Sequence, residues 1–153
     1  AQVQDGQVIM RYKGEDQQDG LLSRLLEGER SHAINRFTMP GVVSLEYWGP
    51  EKLNLVTTLY FTPESENAFK GFAIMTGPKQ GGFGYLKALL FLAIMRRVIN
   101  QDLAIMKDAS ENWVAAGCPR HANSPLDILR PMIEQVAKGN TGSVPEQTIT
   151  LRL

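Results

Sequence analysis

The stretch that decides the fold is Gly84–Trp113, which reads GYLKALLFLAIMRRVINQDLAIMKDASENW. It is the longest helical pattern in the chain and contains no proline. Because a helix turns about 100° per residue, the stretch has an apolar side with Asp102 near its centre. The uncharged residues within about 60° of Asp102 are Ala88, Phe91, Met95, Val98, Ile99, Ile105, Met106, Ala109 and Trp113. A long amphipathic helix that carries a carboxylate on its apolar side is therefore predicted.

The chain before this helix consists of short strand patterns separated by turn signals. The predicted strands are Val3–Lys13 (one strand, or two short ones around Asp5-Gly6), His32–Met39, Val42–Trp48, Lys52–Phe61 and Ala68–Thr76. Polar turns are expected at Gly14–Gly20 and Thr62–Asn67, and a short amphipathic segment at Leu21–Glu27. The aromatic side chains on the strands would suit a pocket, but we expect most of them to be core. The regular spacing predicts an antiparallel meander.

After the long helix, Ser124–Asp127 has the residues of a helix start, and Gly139-Asn140 those of a helix end. Pro131 is expected to kink or restart this second helix, and Glu146–Leu153 is expected to form a last short strand. Strands followed by a long amphipathic helix predict an α+β fold, a curved antiparallel sheet packed on one face by that helix. Asp102 would then point into a pocket between them.

Length and composition limit the function. The 153 residues fit a single domain, 1–153, with 43% hydrophobic and 21% charged residues. Sixteen basic residues balance sixteen acidic ones, so no nucleic-acid partner is predicted. One cysteine, Cys118, excludes an internal disulfide and fits a reducing, cytoplasmic compartment. The start at Ala1, without Met, suggests a processed product or an excised piece of something longer.

Asp102 allows two interpretations, because an ionised carboxylate in apolar surroundings must be paired, hydrogen-bonded or metal-bound. It could be a metal ligand or a general base, or it could form a buried ion pair with Arg11 or Arg36. Two histidines and one carboxylate would suit ferrous iron, but nothing places His32 or His121 near Asp102. Both histidines also fit ordinary structural or surface roles, and the pattern alone leaves these alternatives open.

Two other motifs are incomplete. Cys118-Pro119-Arg120-His121 is half of a zinc- or cluster-binding arrangement, and the chain has no second cysteine for the other half. Gly77–Gly84, GPKQGGFG, matches neither of the glycine-rich nucleotide-binding patterns, so it is predicted to be a connector.

Arg97–Met106, RVINQDLAIM, resembles the late helix of Rieske-type non-haem iron oxygenases, in which a Q/E-D pair precedes aliphatic residues. In that family the Asp of the pair is the third ligand of the mononuclear iron, and only Asp102 matches it. Phe37–Gly41, Tyr60–Glu64 and Ser124–Asp127 are similar to the branch with pheophorbide a oxygenase, chlorophyllide a oxygenase and vanillate demethylase-like enzymes.

The resemblance implies a START-like, helix-grip catalytic domain that inserts oxygen from O₂ into an aromatic or tetrapyrrole-like substrate at a mononuclear Fe(II). It implies electrons from a [2Fe–2S] cluster in an N-terminal Rieske domain of the same or a neighbouring subunit, fed by a ferredoxin-type donor. The substrate would be an apolar small molecule. The family commonly forms trimers, so the resemblance also implies a homotrimer.

The chain departs from the family in its missing motifs. It lacks the family's pair of C-x-H and C-x-x-H cluster motifs, since the C-x-x-H at Cys118–His121 has no second cysteine to complete it, and it lacks the D-x-x-H-x-x-x-x-H-like helix that carries the two iron histidines. We therefore expect a C-terminal catalytic segment with one iron ligand of three, inactive on its own. The alternatives are a stand-alone START-like module that binds an apolar small molecule, or a purely structural subunit.

Overall fold

The computed structural model describes residues 1–13, 31–65, 68–79, 81–119 and 123–150. The predicted segments Gly14–Gly20 and Leu21–Glu27 lie outside these residues. The described elements are β1 (Gln2–Gln4), β2 (Gln7–Lys13), β3 (His32–Thr38), β4 (Val42–Trp48), β5 (Leu53–Ser65), β6 (Ala68–Thr76), α1 (Gly81–Ala115) and α2 (Leu129–Ala137). The α+β class is confirmed.

The chain divides into two compact units. One unit contains the sheet and α2, in Ala1–Pro78 and Ser124–Leu153, and the other, Lys79–Asn123, contains α1. The single domain and the packing of α1 on the sheet stay predictions.

The six strands form one antiparallel sheet in the order β1-β2-β3-β4-β5-β6, so the predicted meander is confirmed. The Val3–Lys13 pattern forms two strands because Asp5 and Gly6 adopt positive φ angles of 51° and 72° between them. Side chains alternate between the two faces of a strand. One face therefore carries Val8 with its cross-strand partners Val3 and Phe37.

The turn between β3 and β4 lies against β5 at Gly41. The N–H of Phe61 donates to the carbonyl oxygen of Gly41 over 2.8 Å. A Cβ atom at residue 41 would lie 2.8 Å from the carbonyl oxygen of Phe61, closer than real Cβ contacts allow. The contact therefore requires glycine, and it fixes the β3–β4 hairpin on its neighbour.

The predicted turn at Thr62–Asn67 is wrong over its first residues, because β5 continues to Ser65. Thr62 pairs with Lys70 and Pro63 with Phe69, which extends the β5–β6 ladder. The last β4–β5 pair joins Val42 and Tyr60. Beyond this pair, β6 is the only described strand that pairs with β5. Pro63 has no N–H to donate, but no hydrogen bond to β4 is lost there.

The core of the sheet unit lies between β1, β2 and α2. Met132 and Val136 of α2 are buried together with Val3 and Val8. Phe37, Leu129, Ile133, Val144 and Ala1 pack around them, partly buried. The helical residues at positions 129, 132, 133 and 136 follow the i, i+3, i+4, i+7 spacing of an amphipathic helix. The periodicity of this short helix therefore fixes which side faces the sheet.

The helix predicted to start at Ser124 starts at Leu129 instead. Ser124 and Asp127 form a turn in which the Ser124 N–H donates to Asp127 Oδ2 over 2.8 Å, and the Leu126 N–H donates to Ser124 Oγ over 3.2 Å. Pro131 explains the delay. A helix running from Ser124 through Pro131 would lose the bond to the Asp127 carbonyl and clash with it, whereas proline is tolerated in a first turn.

Both helices end in a Schellman motif, a pair of backbone bonds around a glycine with positive φ. After α1, the N–H of Gly117 donates to Val114 and that of Cys118 donates to Trp113. After α2, the N–H of Gly139 donates to Val136 and that of Asn140 to Gln135. The φ angles are 79° at Gly117 and 81° at Gly139. The helix end predicted at Gly139-Asn140 is confirmed.

The last strand predicted at Glu146–Leu153 is not formed over residues 146–150, and residues 151–153 lie outside the described part. The segment nevertheless bonds to the β1 edge of the sheet. Val144 forms an antiparallel bridge with Val3, and the Gln147 N–H donates to the Ala1 carbonyl over 2.8 Å. The sheet therefore has a backbone partner beside β1, although it is too short to be a strand.

Candidate functional site

Asp102 lies on α1 and its side chain is exposed. The partly buried residues of α1, among those whose side chains are described, are Gly84, Phe91, Ile94 and Met95. By helical geometry all of them lie within about 80° of Asp102 around the axis. The side of the helix that the sequence predicts to be apolar is thus the least exposed side in the N-terminal half. Beyond Met95 the side chains are exposed, for example Leu103 at 54% and Ile105 at 66%.

The interpretation of Asp102 as a buried ion pair with Arg11 or Arg36 stays a prediction. One of these two arginines already has a partner on the sheet. Arg36 Nε lies 2.7 Å from Glu46 Oε1, in a salt bridge on the sheet.

His32 is the first residue of β3, in the sheet unit. Its Nδ1 lies 2.8 Å from Ser31 Oγ, and its ring is stacked on Trp48 with 5.9 Å between the ring centroids. His121 lies outside the described residues. The structure therefore describes one of the two histidines, and it shows that histidine as part of a stacked pair on the sheet.

The iron expected from the resemblance needs two imidazoles and a carboxylate. Within the described ranges, no three His, Cys, Asp or Glu residues come together in a group that could hold a metal. Asp102 contributes a single carboxylate donor. The described residues thus do not fit a mononuclear iron by themselves.

A cluster of bonded polar side chains lies on the β3–β4 hairpin and was not predicted. Both oxygens of Glu46 accept hydrogen bonds, Oε1 from Arg36 Nε over 2.7 Å and Oε2 from Trp48 Nε1 over 3.0 Å. The Glu46 side chain is 15% exposed. Because both of its oxygens are bonded, Glu46 orients the Trp48 indole, on which the His32 ring stacks.

The pKa of Glu46 reflects two opposing effects. Burial raises the pKa, but the hydrogen bonds from Arg36 and Trp48, together with the Arg36 charge, outweigh burial and lower it below the usual value of a glutamate. Glu46 is therefore held ionised at neutral pH. The ionised carboxylate of Glu46 can accept hydrogen bonds on both oxygens, one from the Arg36 guanidinium and one from the Trp48 indole.

The register of the hairpin could have revealed this cluster. His32 faces Trp48 and Ile34 faces Glu46, in a ladder centred on the turn at Pro40. Arg36 and Glu46 are diagonal neighbours on the same face, which is within reach of long side chains. If the predicted strands His32–Met39 and Val42–Trp48 are paired as a hairpin around Pro40-Gly41, Arg36 and Glu46 become neighbours.

The aromatic residues of β5 and β6 are a correction to the expectation that most strand aromatics form the core. Phe37 packs against the core. In contrast, Tyr60 is 41% exposed, Phe61 36%, Phe69 46% and Phe72 57%. The reason is position, since these side chains lie on the last two strands of the sheet, whereas the core lies at β1 and β2.

No helix among the described residues is long and apolar enough to cross a membrane. The comparisons with protein families, with curated proteins and with solved structures found no match to this chain.

Proposed function

We propose that the chain is the C-terminal catalytic segment of a Rieske-type oxygenase, which inserts oxygen from O₂ into an aromatic or tetrapyrrole-like substrate. The observation that carries the proposal is Asp102 within RVINQDLAIM. This carboxylate is exposed, and it lies on the same side of α1 as the partly buried Phe91 and Met95. A carboxylate in that position is available as an oxygen ligand to Fe(II).

The order of elements supports the same proposal. A START-like helix-grip domain needs an antiparallel sheet followed by a long helix, and here β1 to β6 are followed by the 35-residue α1. The START-like arrangement is itself part of the proposal. The exposed free thiol of Cys118 fits the reducing, cytoplasmic compartment that we expect.

In this proposal the chain supplies one iron ligand. The two histidine ligands and the [2Fe–2S] cluster belong to polypeptide outside the 153 residues, with electrons from a ferredoxin-type donor. When bound, the iron and the cluster supply the redox chemistry that protein side chains lack. Asp102 would hold the metal on one side, and the 153 residues alone are expected to bind iron weakly and to turn over no substrate.

The most direct check of the family is the coding sequence before Ala1. It should encode C-x-H and C-x-x-H motifs, followed by a helix with the H-x-x-x-x-H spacing. If it encodes neither, the proposal fails for this protein, because a lone carboxylate cannot hold the iron.

A second candidate is a START-like binding module for an apolar small molecule, in which Asp102 binds a polar group of the ligand or an arginine. The exposed apolar side chains on α1, such as Leu89 at 67% and Ile105 at 66%, favour a function that covers apolar surface. Native mass spectrometry would support it by detecting a stoichiometric lipid or pigment without iron uptake. A saturable Fe(II) site that Asp102→Asn abolishes would exclude it.

A further inference from the structure

The first strand of the sheet is shorter than the strand beside it. β1 begins at Gln2, which pairs with Ile9 of β2. β2 continues from there to Lys13, and β3 pairs with all of it on the other side. On the β1 side, no described strand residue pairs with β2 beyond Ile9. The place where β1 would extend backwards from Ala1 therefore holds no described strand.

A second stretch of backbone borders the same place. The Gln147 N–H donates to the Ala1 carbonyl oxygen over 2.8 Å, and the Ala1 nitrogen donates to the Gln147 carbonyl oxygen over 2.6 Å. The segment from Val144 to Gln147 runs antiparallel to β1, so its direction carries residues 148–150 past Ala1. We call the gap between residues 10–13 and residues 148–150 the β1 slot. It is one strand wide and lies within the sheet unit.

The hydrogen bonds of Ala1 determine which backbone groups of β2 point into the β1 slot. In an antiparallel sheet the N–H and C=O of one residue point to one neighbouring strand, and those of the next residue point to the other. Ala1 bonds to the segment on its outer side, so the groups of Gln2 point to Ile9. Arg11 and Lys13 point the same way as Ile9, into the slot. No described residue forms a backbone bond with them there.

The opposite wall of the slot has a strand sequence without a strand. Residues 148–150 are Thr-Ile-Thr, all β-branched, yet they form no strand. Counted from Gln147, which bonds to Ala1, the N–H and C=O of Ile149 point into the slot. Those of Thr148 and Thr150 point away from it. The strand predicted after Glu146 is thus absent where its partner on the described chain is missing.

Only extended backbone can bond both walls of the slot, which are two strand spacings, roughly 9–10 Å, apart. A helix such as α1 cannot do so, because its N–H and C=O groups bond within the helix. The chain that leads into Ala1 enters the slot directly and in register with β1. Because it is covalently attached, it has a large advantage in effective concentration over a strand from another molecule.

We infer that the three residues before Ala1 continue β1 and fill the slot as a strand bonded on both sides. The inference rests on the proposed function only in that polypeptide precedes Ala1. The first and third of these residues exchange bonds with Arg11 and Lys13, and the second exchanges bonds with Ile149. The second also lies on the face of Ala1 and Val3, which pack in the core, so it is expected to be apolar.

The test is amide hydrogen exchange in two forms of the protein, one that starts at Ala1 and one expressed from the complete coding sequence. In the longer form the Arg11, Lys13 and Ile149 amides should exchange at least about tenfold more slowly, because each gains a bond in the slot. The matched control is the Tyr12 amide. It points to β3 in both forms, so its exchange should not change.

A pair of proline variants of the longer form sharpens the test. Ile149→Pro removes an N–H that points into the slot and should reverse at least about half of the slowing at Arg11. Thr148→Pro removes an N–H that points away from the slot and should leave the Arg11 amide as slow as in the longer wild type. Equal effects of the two prolines would contradict the alternation.

Equal exchange of Arg11, Lys13 and Ile149 in the two forms would overturn the inference. So would a slowing that includes Tyr12 to the same degree, because that is general stabilisation. Faster exchange at Tyr12 would overturn it as well, because a strand in the slot leaves the β2–β3 ladder intact. The outcome is separate from the iron proposal. Slowed exchange in a protein that binds no iron supports the strand alone, and iron binding with unchanged exchange overturns the strand alone.

Discussion

The helices α1 and α2 end in the same Schellman motif but differ in how their apolar sides are covered. On α2, Met132 is 3% exposed and Val136 is 4% exposed, because both pack against Val3 and Val8. On α1, Ile105 is 66% exposed and Met106 is 48% exposed. Periodicity and end signals therefore determine that a segment is helical, whereas the burial of a helix depends on a surface that contacts it.

The largest difference should appear when each helix loses an apolar side chain. Met132→Ala removes buried contacts and should lower the free energy of unfolding by about 2–4 kcal/mol. Ile105→Ala removes an exposed side chain and should change it by less than about 0.5 kcal/mol. Urea unfolding followed by Trp48 fluorescence measures both. Equal losses would show that the exposed side of α1 is covered in solution, and would remove the contrast between the helices.

A smaller difference should separate the two carboxylates, Glu46 on the sheet and Asp102 on α1. Glu46→Gln removes the charge that Arg36 and Trp48 bond, and should cost about 1–2 kcal/mol at pH 7. Asp102→Asn should change the stability of this chain by less than about 0.5 kcal/mol. The comparison fails if the two substitutions cost the same.

The pH dependence of stability checks the same bonds. The pKa of Glu46 is lowered in the folded state. Its stabilising contribution is therefore fully present above the unfolded pKa of about 4.3 and is lost as the pH falls through the folded pKa. Wild type should lose more stability than Glu46→Gln between pH 7 and pH 3. A parallel loss in both proteins would mean that the bonds to Glu46 do not form in solution.

The smallest effects should come from the two helix ends. Gly139→Ala places a Cβ on a residue with φ of 81° and should cost about 1 kcal/mol in urea unfolding. No other atom lies near that position, so the cost is conformational, and Gly139→Asn should cost less. Gly117→Ala should chiefly speed hydrogen exchange at the last turn of α1. The reverse order in urea unfolding would contradict the assignment of the core to α2.

The sequence predicts the elements of this fold well, because they depend on local chemistry. Alternation and turn residues place β3, β4 and β6 within a residue, and the long helix differs by only a few residues at each end. The errors come from longer-range effects. β5 continues past Pro63 because, among the described strands, it pairs there with β6 alone and needs no bond to β4. α2 starts late because Pro131 restricts the preceding turn.

The candidate site was harder to predict for the same reason. A helical wheel places Asp102 among apolar residues, but it does not show what contacts those residues. In the structure the Asp102 side chain is exposed. The bonds between Arg36, Glu46 and Trp48 require the register of the β3–β4 hairpin, which periodicity in a single strand does not give. Identifying Asp102 as a ligand rests on resemblance, because no described group of His, Cys, Asp or Glu residues around it could hold a metal.

The iron content of the protein expressed from its complete coding sequence tests the central proposal most directly. Wild type should bind about one mononuclear Fe(II) per chain that reacts with nitric oxide, besides any cluster iron. Asp102→Asn should lower the affinity for this iron at least about tenfold, since even substitutions beyond the ligands themselves have effects of that size. Asp108→Asn, at another exposed carboxylate of α1, should bind iron like wild type. If Asp102→Asn retains the mononuclear iron at wild-type affinity, Asp102 is not its ligand and the proposal is contradicted.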